Sequence, residues 1–412
     1  MNTYAAFYPN EVRMESSSGG IFSLIAKQYD VVYGVAMDDD CHSCHFIRVQ
    51  DDIEKLRGSK YFQAVVGDTF KSVKTDLEDG RRVLFSGTGC QINGLSCFLG
   101  KDYPNLFLLD VVCHGVPSPK LWREYASFQE SKYGKLQSVD FRCKDHGWVD
   151  FGMKENKLYI SKDTDSFMRM FLRNYCLRPS CYECHAKNYK KADMTIADFW
   201  GIENVAPEMN DGNGTSLVIC RTEKGNKLFD QIKYELQYRE VSYEDGVREN
   251  PSEYSSVSHP KERDAFFDDL DKLSFEDMEK KYAADIKKPL YRRILSKGKR
   301  ILKKILRGGV TDKKQVSNAD YGMLFTFKKN ININKSMIQN SNNEIKPIPI
   351  LYERKEDCCG CTACYAICPK SAITMEEDAE GFLYPKIKEE KCIKCYRCIH
   401  ACPIKQAGTI HS

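Results

Sequence analysis

The sequence lacks any apolar run close to the ~20 residues that a membrane-spanning helix needs. Its longest apolar runs, such as residues 106–109, have the length of a strand. The first residues, MNTYAAFYPNEVR, contain no apolar core of an export signal, which predicts a cytoplasmic protein. No GxGxxG motif occurs, so the standard fingerprint of a Rossmann dinucleotide site is absent. These absences favour a globular protein of the cell interior.

Cysteine, in contrast, is abundant, with 19 among 412 residues. In a chain without an export signal, such a number argues against a disulfide framework and for metal or redox chemistry. The length allows two or three domains with cores of their own.

Positive charge is concentrated in one segment. The net charge is +4, but residues 287–307 hold ten Lys/Arg and no acid, so the rest carries 4 − 10 = −6. Apolar residues recur there at helical spacing, which predicts a basic amphipathic helix. Three interpretations stay open: a solvated spacer, contact with an anionic membrane surface, and nucleic-acid binding. The last is disfavoured because neither neighbouring domain offers a base-reading module, so no nucleic-acid partner is expected.

The order of patterns along the chain predicts its domains. Alternating strand and helix patterns predict an α/β (α+β) domain with a mixed, largely parallel sheet. A segment rich in Lys, Asn and Ser follows the basic helix and is typical of a linker. The predicted segments are the first domain (1–285), the basic helix (286–308), the flexible linker (309–348) and a small cysteine-rich domain (349–406).

The cysteine-rich domain carries the most specific motif. The pattern Cys-x2-Cys-x2-Cys-x3-Cys-Pro occurs twice, at an offset of 34 residues. In this pattern three close thiolates bind one cluster and the fourth cysteine binds the other. Zinc sites use two separated pairs, which disfavours zinc here. We therefore predict an α+β ferredoxin-like domain with two [4Fe–4S] clusters, one on Cys358, Cys361, Cys364 and Cys402, the other on Cys392, Cys395, Cys398 and Cys368. Cys359 does not fit the repeat.

The first domain contains separate glycine and cysteine motifs. SSSGGIFS (16–23) is a hydroxyl-rich turn before a helix, where backbone N–H groups can cradle phosphate. Cys90 and Cys113 each follow a predicted strand, and open α/β sheets bind ligands at the carboxyl ends of their strands. Each cysteine alone is more often a buried packing residue. With Cys181 and Cys184 they make four candidate ligands.

Several motifs in order resemble the beta subunit family of coenzyme F420 hydrogenases and dehydrogenases. They are SSSGGIFS, RGSKY, GTGCQ, VVCHGVPSP, CYEC…ADMTIADFWG and GTSLVICRTEKG, and the resemblance covers residues 4 to about 245. It implies an FAD, one [4Fe–4S] cluster and hydride exchange between the flavin and a deazaflavin or another partner. The cluster ligands would be Cys90, Cys113, Cys181 and Cys184, and the FAD contacts Ser18, Gly19, Gly20, Ser59, Lys60 and Tyr61. A lysine near the reduced flavin would stabilise its anionic form, and no side chain is expected to act as a catalytic acid or base.

Three features depart from that family. Gly89 replaces the usual proline before the cysteine, and Ala64 replaces a serine after the SKY-x-Q turn. The ferredoxin domain ordinarily precedes the flavin domain, whereas here it follows a long linker. Transfer of electrons between the two domains therefore depends on whether they dock in this order.

Other motifs carry weaker predictions. CHSCH (41–45) matches a haem attachment pattern, but covalent haem of this type needs export. Cys176 is an alternative ligand to Cys113. Zinc on Cys181 and Cys184, completed by His185 or Cys176, also stays open.

The sequence thus favours an iron–sulfur flavoprotein oxidoreductase. It would move electrons between a hydride carrier, FAD and three [4Fe–4S] clusters, with a redox partner protein or hydride-carrying coenzyme as partner. The alternatives are an electron-transfer adaptor subunit without flavin and a zinc-stabilised binding module. The sequence leaves open the identity of the hydride carrier, the direction of electron flow and the oligomeric state.

Overall fold

The computed structural model describes residues 1–285 and 346–409. The residues before Ala284 and the described residues from Pro347 onward form one compact unit. The predicted basic helix (286–308) and nearly all of the predicted linker (309–348) lie outside the described residues. Within the described ranges, no helix combines the length and the apolar character needed to cross a membrane.

An eight-stranded mixed sheet forms the centre of this unit. Its strands are β1 (Asn2–Phe7), β2 (Val31–Met37), β3 (Cys44–Val49), β4 (Val83–Thr88), β5 (Leu106–Val111), β9 (Met194–Asp198), β10 (Ser216–Cys220) and β11 (Gln237–Val241). They lie in the order β11-β1-β10-β9-β5-β4-β2-β3. The strands β2, β4, β5 and β9 run parallel, and the pairings at both flanks are antiparallel. This confirms the mixed sheet predicted from the sequence, but the expectation that it is largely parallel was wrong, because only three of its seven strand pairings are parallel.

A smaller antiparallel sheet lies between β5 and β9 in the chain. It consists of β6 (Val139–Cys143), β7 (Gly152–Glu155) and β8 (Leu158–Ser161). The helices of the first domain are α1 (Ile21–Ala26), α2 (Thr69–Glu78), α3 (Gly89–Leu99), α4 (Pro119–Tyr133), α5 (Ser166–Leu172), α6 (Ile202–Val205), α7 (Glu223–Ile232), α8 (Tyr243–Val247), α9 (Arg263–Leu270) and α10 (Phe275–Met278).

Local sequence sets the ends of the two helices nearest the cysteines. The Thr88 backbone N–H donates to Gln91 Oε1 at 2.8 Å, which satisfies a donor at the start of α3. Gly100 ends α3 in the left-handed conformation (φ 67°), which glycine adopts without steric cost. At the start of α4, Ser118 Oγ accepts from the Leu121 N–H and Pro119 supplies a helical φ. Cys90 is thereby fixed on the first turn of α3.

The central strands are buried on both faces, as parallel strands between helix layers usually are. Val83 and Phe85 of β4 belong to one apolar cluster, while Leu84 belongs to the cluster on the opposite face. Trp122 of α4 lies in the first cluster and Phe229 of α7 in the second.

The cysteine-rich segment is a small α+β unit, as predicted. Its strands β12 (Ile373–Glu377) and β13 (Leu383–Ile387) pair antiparallel, and its helices span Ala363–Ile367, Arg397–His400 and Pro403–Thr409. The 34-residue repeat is also a repeat of backbone conformation. Thr362 (φ 66°) and Tyr396 (φ 60°), which are equivalent in the repeat, both adopt the left-handed conformation just before a helix.

This segment packs directly on the first domain. Arg263 of α9 is buried and donates to both carboxylate oxygens of Glu380, at 2.9 and 2.6 Å. Ser118 Oγ donates to the Glu380 carbonyl. One apolar cluster is shared, because Phe382 and Tyr384 belong to the same buried core as Trp122. The reversed domain order therefore still allows docking.

A glycine on α3 allows the closest approach between the two parts. A Cβ on Gly94 would stand 2.7 Å from Cys361 Cβ and 2.9 Å from Cys361 Sγ. Both distances are too short for a side-chain contact, so only glycine permits α3 to lie this close to the cysteine loop.

We expect Gly94→Ala to loosen this docking, because the added methyl group would overlap Cys361, at a cost of about 1–3 kcal/mol. Faster amide hydrogen exchange in β12 and β13 would report the change. Ser96→Ala on the same helix is the control and should leave exchange in these strands unchanged. Equal exchange rates in Gly94→Ala and the wild type would contradict the packing described here.

Candidate functional site

The candidate site lies at the carboxyl ends of the parallel strands. Cys90 follows β4 and Cys113 follows β5 by two residues. The segment after Cys113 then pairs with the segment before Cys181: the Arg178 N–H donates to the Val116 carbonyl at 2.9 Å, and Pro117 forms a bridge with Leu177. This pairing brings Cys113 and Cys181 to the same edge of the sheet.

Four first-domain thiols occupy this edge together. Cys181 interacts electrostatically with Cys113, Cys184 and Cys90, and Cys184 also interacts with Cys90. The Val116 N–H points at Cys181 Sγ at 3.4 Å, an arrangement that stabilises a thiolate. The structure thus groups the four cysteines that the resemblance implied.

The chemistry of these thiols suits a positively charged metal cluster. Burial raises the pKa of Cys113 to about 12 and also raises the pKa of Cys181 and Cys184. Four thiolates this close would repel one another without a cation. Lys187 supplies one positive charge, since its Nζ donates to the Cys113 carbonyl at 2.5 Å. A metal cluster would supply the remaining compensation.

In the described part of the chain, no three His, Cys, Asp or Glu side chains are close enough to hold a single metal ion. This finding concerns single ions. A four-iron cluster binds each thiolate through a different iron, so its ligands stand further apart.

Cys176, the alternative ligand, lies apart from this group. It is fully buried, its backbone carbonyl accepts from the Ser118 N–H at 2.9 Å, and burial raises the pKa of its thiol to about 12. The nearby charge that acts on it is Arg263 rather than another thiol. The CHSCH segment spans the end of the β2–β3 turn and the first two residues of β3, where His42 pairs with Glu130 and His45 with Asp38.

Thiols of both predicted sets lie close together in the cysteine-rich segment. Cys358, Cys361, Cys364 and Cys402 line one cavity, which Cys359 and Cys398 line as well. Burial raises the pKa of Cys364, with further contributions from Cys358 and Cys402. In the other set, Cys398 interacts with Cys395 and Cys368. The Ala372 N–H points at Cys368 Sγ at 3.3 Å. Both sets have the thiolate donors that four-iron clusters need, and the exchange of Cys368 and Cys402 between the halves stays a prediction from the spacing.

Cys359, which the repeat left unassigned, lies at the junction of the two parts. Contact with the Cys359 sulfur, followed by burial, raises the pKa of Cys90. Contact with the Cys361 sulfur raises the pKa of Cys359 in turn. The sequence contained one signal, since Cys359 directly follows a predicted ligand. Its neighbour across the junction could not be read from spacing.

Arg178 is a second residue that the sequence pattern did not identify. It is 1% exposed and lies between the two groups of cysteines. Its Nε donates to the Cys358 carbonyl at 2.9 Å and its Nη2 donates to the Leu383 carbonyl at 3.1 Å. The one sequence feature that could have identified Arg178 is its position three residues before the candidate ligand Cys181.

The predicted FAD contacts at Ser18, Gly19 and Gly20 form a tightly held turn. A Cβ on Gly19 would stand 2.6 Å from the Ala6 carbonyl oxygen, and Gly20 has a φ of 80°. Both positions therefore require glycine for structural reasons as well. The Gly19 N–H donates to Ser216 Oγ at 2.9 Å.

Lys144 binds the backbone of this turn. The sequence pattern did not identify it. It is buried, and its Nζ donates to the carbonyls of Arg13, Ser18 and Asn213 at 2.9, 2.7 and 2.9 Å. Burial lowers the pKa of Lys144 to about 8. The lysine thus satisfies three acceptors that few other groups could reach.

The second predicted turn, Ser59 to Tyr61, lies beside the first. Ser59 Oγ is 3.0 Å from Ser17 Oγ, and the Ser59 N–H donates to the same hydroxyl at 3.1 Å. Lys60 Nζ donates to the Leu56, Arg57 and Gly58 carbonyls at 3.3, 2.7 and 3.2 Å. Burial lowers the pKa of Lys60 to about 8. Tyr61 packs edge-on against Phe141, with 5.6 Å between ring centroids.

Comparison with known families agrees with both parts of the structure. Residues 80–245 match the family model for the C terminus of the beta subunit of coenzyme F420 hydrogenase/dehydrogenase, and residues 357–406 match a 4Fe-4S dicluster domain. The match to a 4Fe-4S dicluster domain makes the chain an iron–sulfur protein. More particularly, the chain carries a domain of the coenzyme F420 hydrogenase/dehydrogenase beta subunit family joined to a 4Fe-4S dicluster domain.

Two individual proteins are similar over part of the chain. The subunit designated B in the Na(+)-translocating ferredoxin:NAD(+) oxidoreductase complex of Acetobacterium woodii is 44% identical over 46 residues, which is 11% of this chain. The match spans 13% of that relative's length. A solved structure of the F420-reducing [NiFe] hydrogenase complex from Methanosarcina barkeri is 15% identical with a TM-score of 0.43, covering 58% of this chain and 81% of that one.

We expect Lys144→Met to destabilise the protein by about 1–3 kcal/mol, because it leaves buried carbonyls without a donor. Urea unfolding of anaerobically purified protein measures this loss. Lys154→Met is the matched control, since Lys154 forms an exposed ion pair with Asp145, and such pairs contribute about 0–1 kcal/mol. Equal effects of the two substitutions would show that Lys144 does not hold the turn.

Proposed function

We propose that the chain is an iron–sulfur flavoprotein oxidoreductase that passes electrons between a hydride carrier, FAD and three [4Fe–4S] clusters. The observation that carries this proposal is the junction between its two parts. Of the first-domain thiols, Cys90 lies against the Cys358–Cys361 loop, in contact with Cys359. Clusters on both sides of this contact would form a continuous one-electron path.

The third cluster would be held by Cys90, Cys113, Cys181 and Cys184. Their grouping at one edge of the sheet, the Val116 N–H directed at Cys181 and the charge of Lys187 all support this donor set. The dicluster segment would hold the other two clusters on the thiols that the repeat predicts. The chain's contribution is to supply the thiol ligands of each cluster and to bring the two parts into contact.

The flavin would lie at the same edge, against the Ser18–Gly20 and Ser59–Tyr61 turns. When bound, FAD would supply the change from two-electron to one-electron chemistry. The protein would contribute the cation of Lys60, the hydroxyls of Ser18 and Ser59 and the aromatic ring of Tyr61. The hydrogen bonds between Ser17 and Ser59 support this proposal, because they bring the two turns together.

A second candidate is an electron-transfer adaptor subunit without flavin. The Gly19 N–H is already bonded to Ser216, and Lys60 already donates to three carbonyls of its own turn. A flavin that used these donors would have to replace these hydrogen bonds, and this favours an adaptor subunit without flavin. A zinc-stabilised binding module is the third and weakest candidate, and its sample would be colourless with bound zinc.

We expect the double variant Cys181→Ala/Cys184→Ala to lose about four of about twelve iron atoms per chain, because it removes two ligands of one cluster out of three. Iron analysis of anaerobically purified protein measures this loss. Cys176→Ala is the matched control and should keep all of the iron. Full iron content in the double variant, or an equal loss in Cys176→Ala, would refute the ligand assignment.

We expect the wild type to release about one FAD per chain on denaturation. Lys60→Met should shift the flavin potential to more negative values, because it removes a cation that stabilises the anionic reduced form. Lys55→Met, which removes an exposed lysine that lies earlier in the chain and pairs with Asp52, should leave the potential unchanged. A brown wild type without flavin would favour the adaptor.

The hydride carrier can then be identified by anaerobic reduction of the full chain. Reduced coenzyme F420, NADH and reduced ferredoxin serve as donors, and bleaching of the flavin absorbance is the readout. Flavin reduction by one of the two hydride donors supports the proposal, and reduction of the clusters by ferredoxin alone supports the adaptor.

A further inference from the structure

Arg178 is a buried cation that forms an ion pair with no carboxylate among the described residues. Its side chain donates to the backbone carbonyls of Cys358 and Leu383, and its nearest side-chain acceptor is the Cys358 sulfur. Its thiol neighbours are Cys358, whose Sγ lies 3.8 Å from Nη2, together with Cys359 and Cys181. Burying an arginine without a carboxylate is unfavourable unless another negative group compensates for it. The nearby groups that can become negative are mainly thiols.

The direction of the guanidinium group supports the same conclusion. Its Nη2 lies 3.8 Å from Cys358 Sγ. Its Nη1 is buried and has no hydrogen-bond partner within the described ranges. A Cβ placed on Gly360 would stand 2.9 Å from this nitrogen, so Nη1 faces the loop between Cys359 and Cys361. The face of Tyr384, 4.0 Å from the guanidinium carbon, supports the group from another side.

We propose that Arg178 sets the reduction potential of the cluster held by Cys358, Cys361, Cys364 and Cys402. Reduction adds one electron to the cluster, and no bond is formed or broken. A fixed positive charge and N–H donors near the cluster sulfurs stabilise the added charge, which raises the potential. Arg178 would thus favour transfer of electrons to this cluster, which is the dicluster site nearest the first domain.

This inference rests on the dicluster part of the proposed function and not on the flavin. It can therefore be tested in a chain that holds no FAD. The other cluster of the dicluster domain, on Cys368, Cys392, Cys395 and Cys398, is an internal control, because the thiols that act most strongly on Arg178 are those of Cys358, Cys359 and Cys181, none of which is a ligand of that cluster.

The test is a redox titration of the full chain with dithionite, followed by EPR spectroscopy of both dicluster signals. We expect Arg178→Gln to shift the nearer cluster to more negative potential by at least a tenfold change in its reduction equilibrium, which is about 59 mV for one electron. The other cluster should keep its potential. Arg178→Lys retains the charge, so its nearer cluster should keep a potential close to that of the wild type. This variant replaces Arg178→Gln in the test if Arg178→Gln does not fold.

A matched control separates charge from docking. Gln63 Oε1 accepts from the Leu383 N–H at 2.9 Å, so Gln63→Met removes a neutral docking bond at the residue that Arg178 also contacts. We expect it to leave both potentials unchanged. The proposal is overturned by an equal shift in Gln63→Met, by an equal shift of both clusters, or by a wild-type potential in Arg178→Gln. If only Arg178→Lys folds, the potentials of its two dicluster sites are compared with those of the wild type. Equal shifts of the two potentials overturn the proposal.

Discussion

Direct packing of the Cys358–Cys361 loop on α3 is the contact on which the rest of the proposed electron path depends. Gly94 leaves no side chain between the helix and Cys361, and Cys90 lies on the first turn of the same helix. Electron transfer between buried cofactors requires such proximity. The Arg263–Glu380 ion pair and the shared apolar core hold the two parts in this position.

The same contact explains how the two parts can work in an unusual order. The interface does not depend on which part comes first in the chain. Gly94 of α3, Ser118 before α4 and Arg263 of α9 form one side of it, and the Cys358–Cys361 loop and the loop between β12 and β13 form the other. Docking in this order requires only that the connecting residues are long enough to join the first domain to the cysteine-rich segment. Two cations compensate for the negative charge of buried thiolates. Lys187 lies near Cys113, and Arg178 lies near Cys358.

The part of the site that could be predicted is the part that short-range sequence encodes. The 34-residue repeat identifies eight candidate ligands because their spacing reflects the geometry of the clusters, and the apolar run at residues 106–109 correctly predicted part of β5. Arg178 and Lys144 could not be predicted in this way. Their partners lie far away in the sequence, and a single arginine or lysine looks the same whether it is exposed or buried. Cys359 was set aside for the same reason, since its neighbour Cys90 belongs to the other domain.

The central claim is that the first-domain thiols hold a cluster in electronic contact with the dicluster segment. The most direct test is the EPR spectrum of the fully reduced, anaerobically purified chain. We expect about three cluster spins per chain, with signals broadened by magnetic interaction between neighbouring clusters. Two spins only, or three sharp signals without interaction, would contradict this claim.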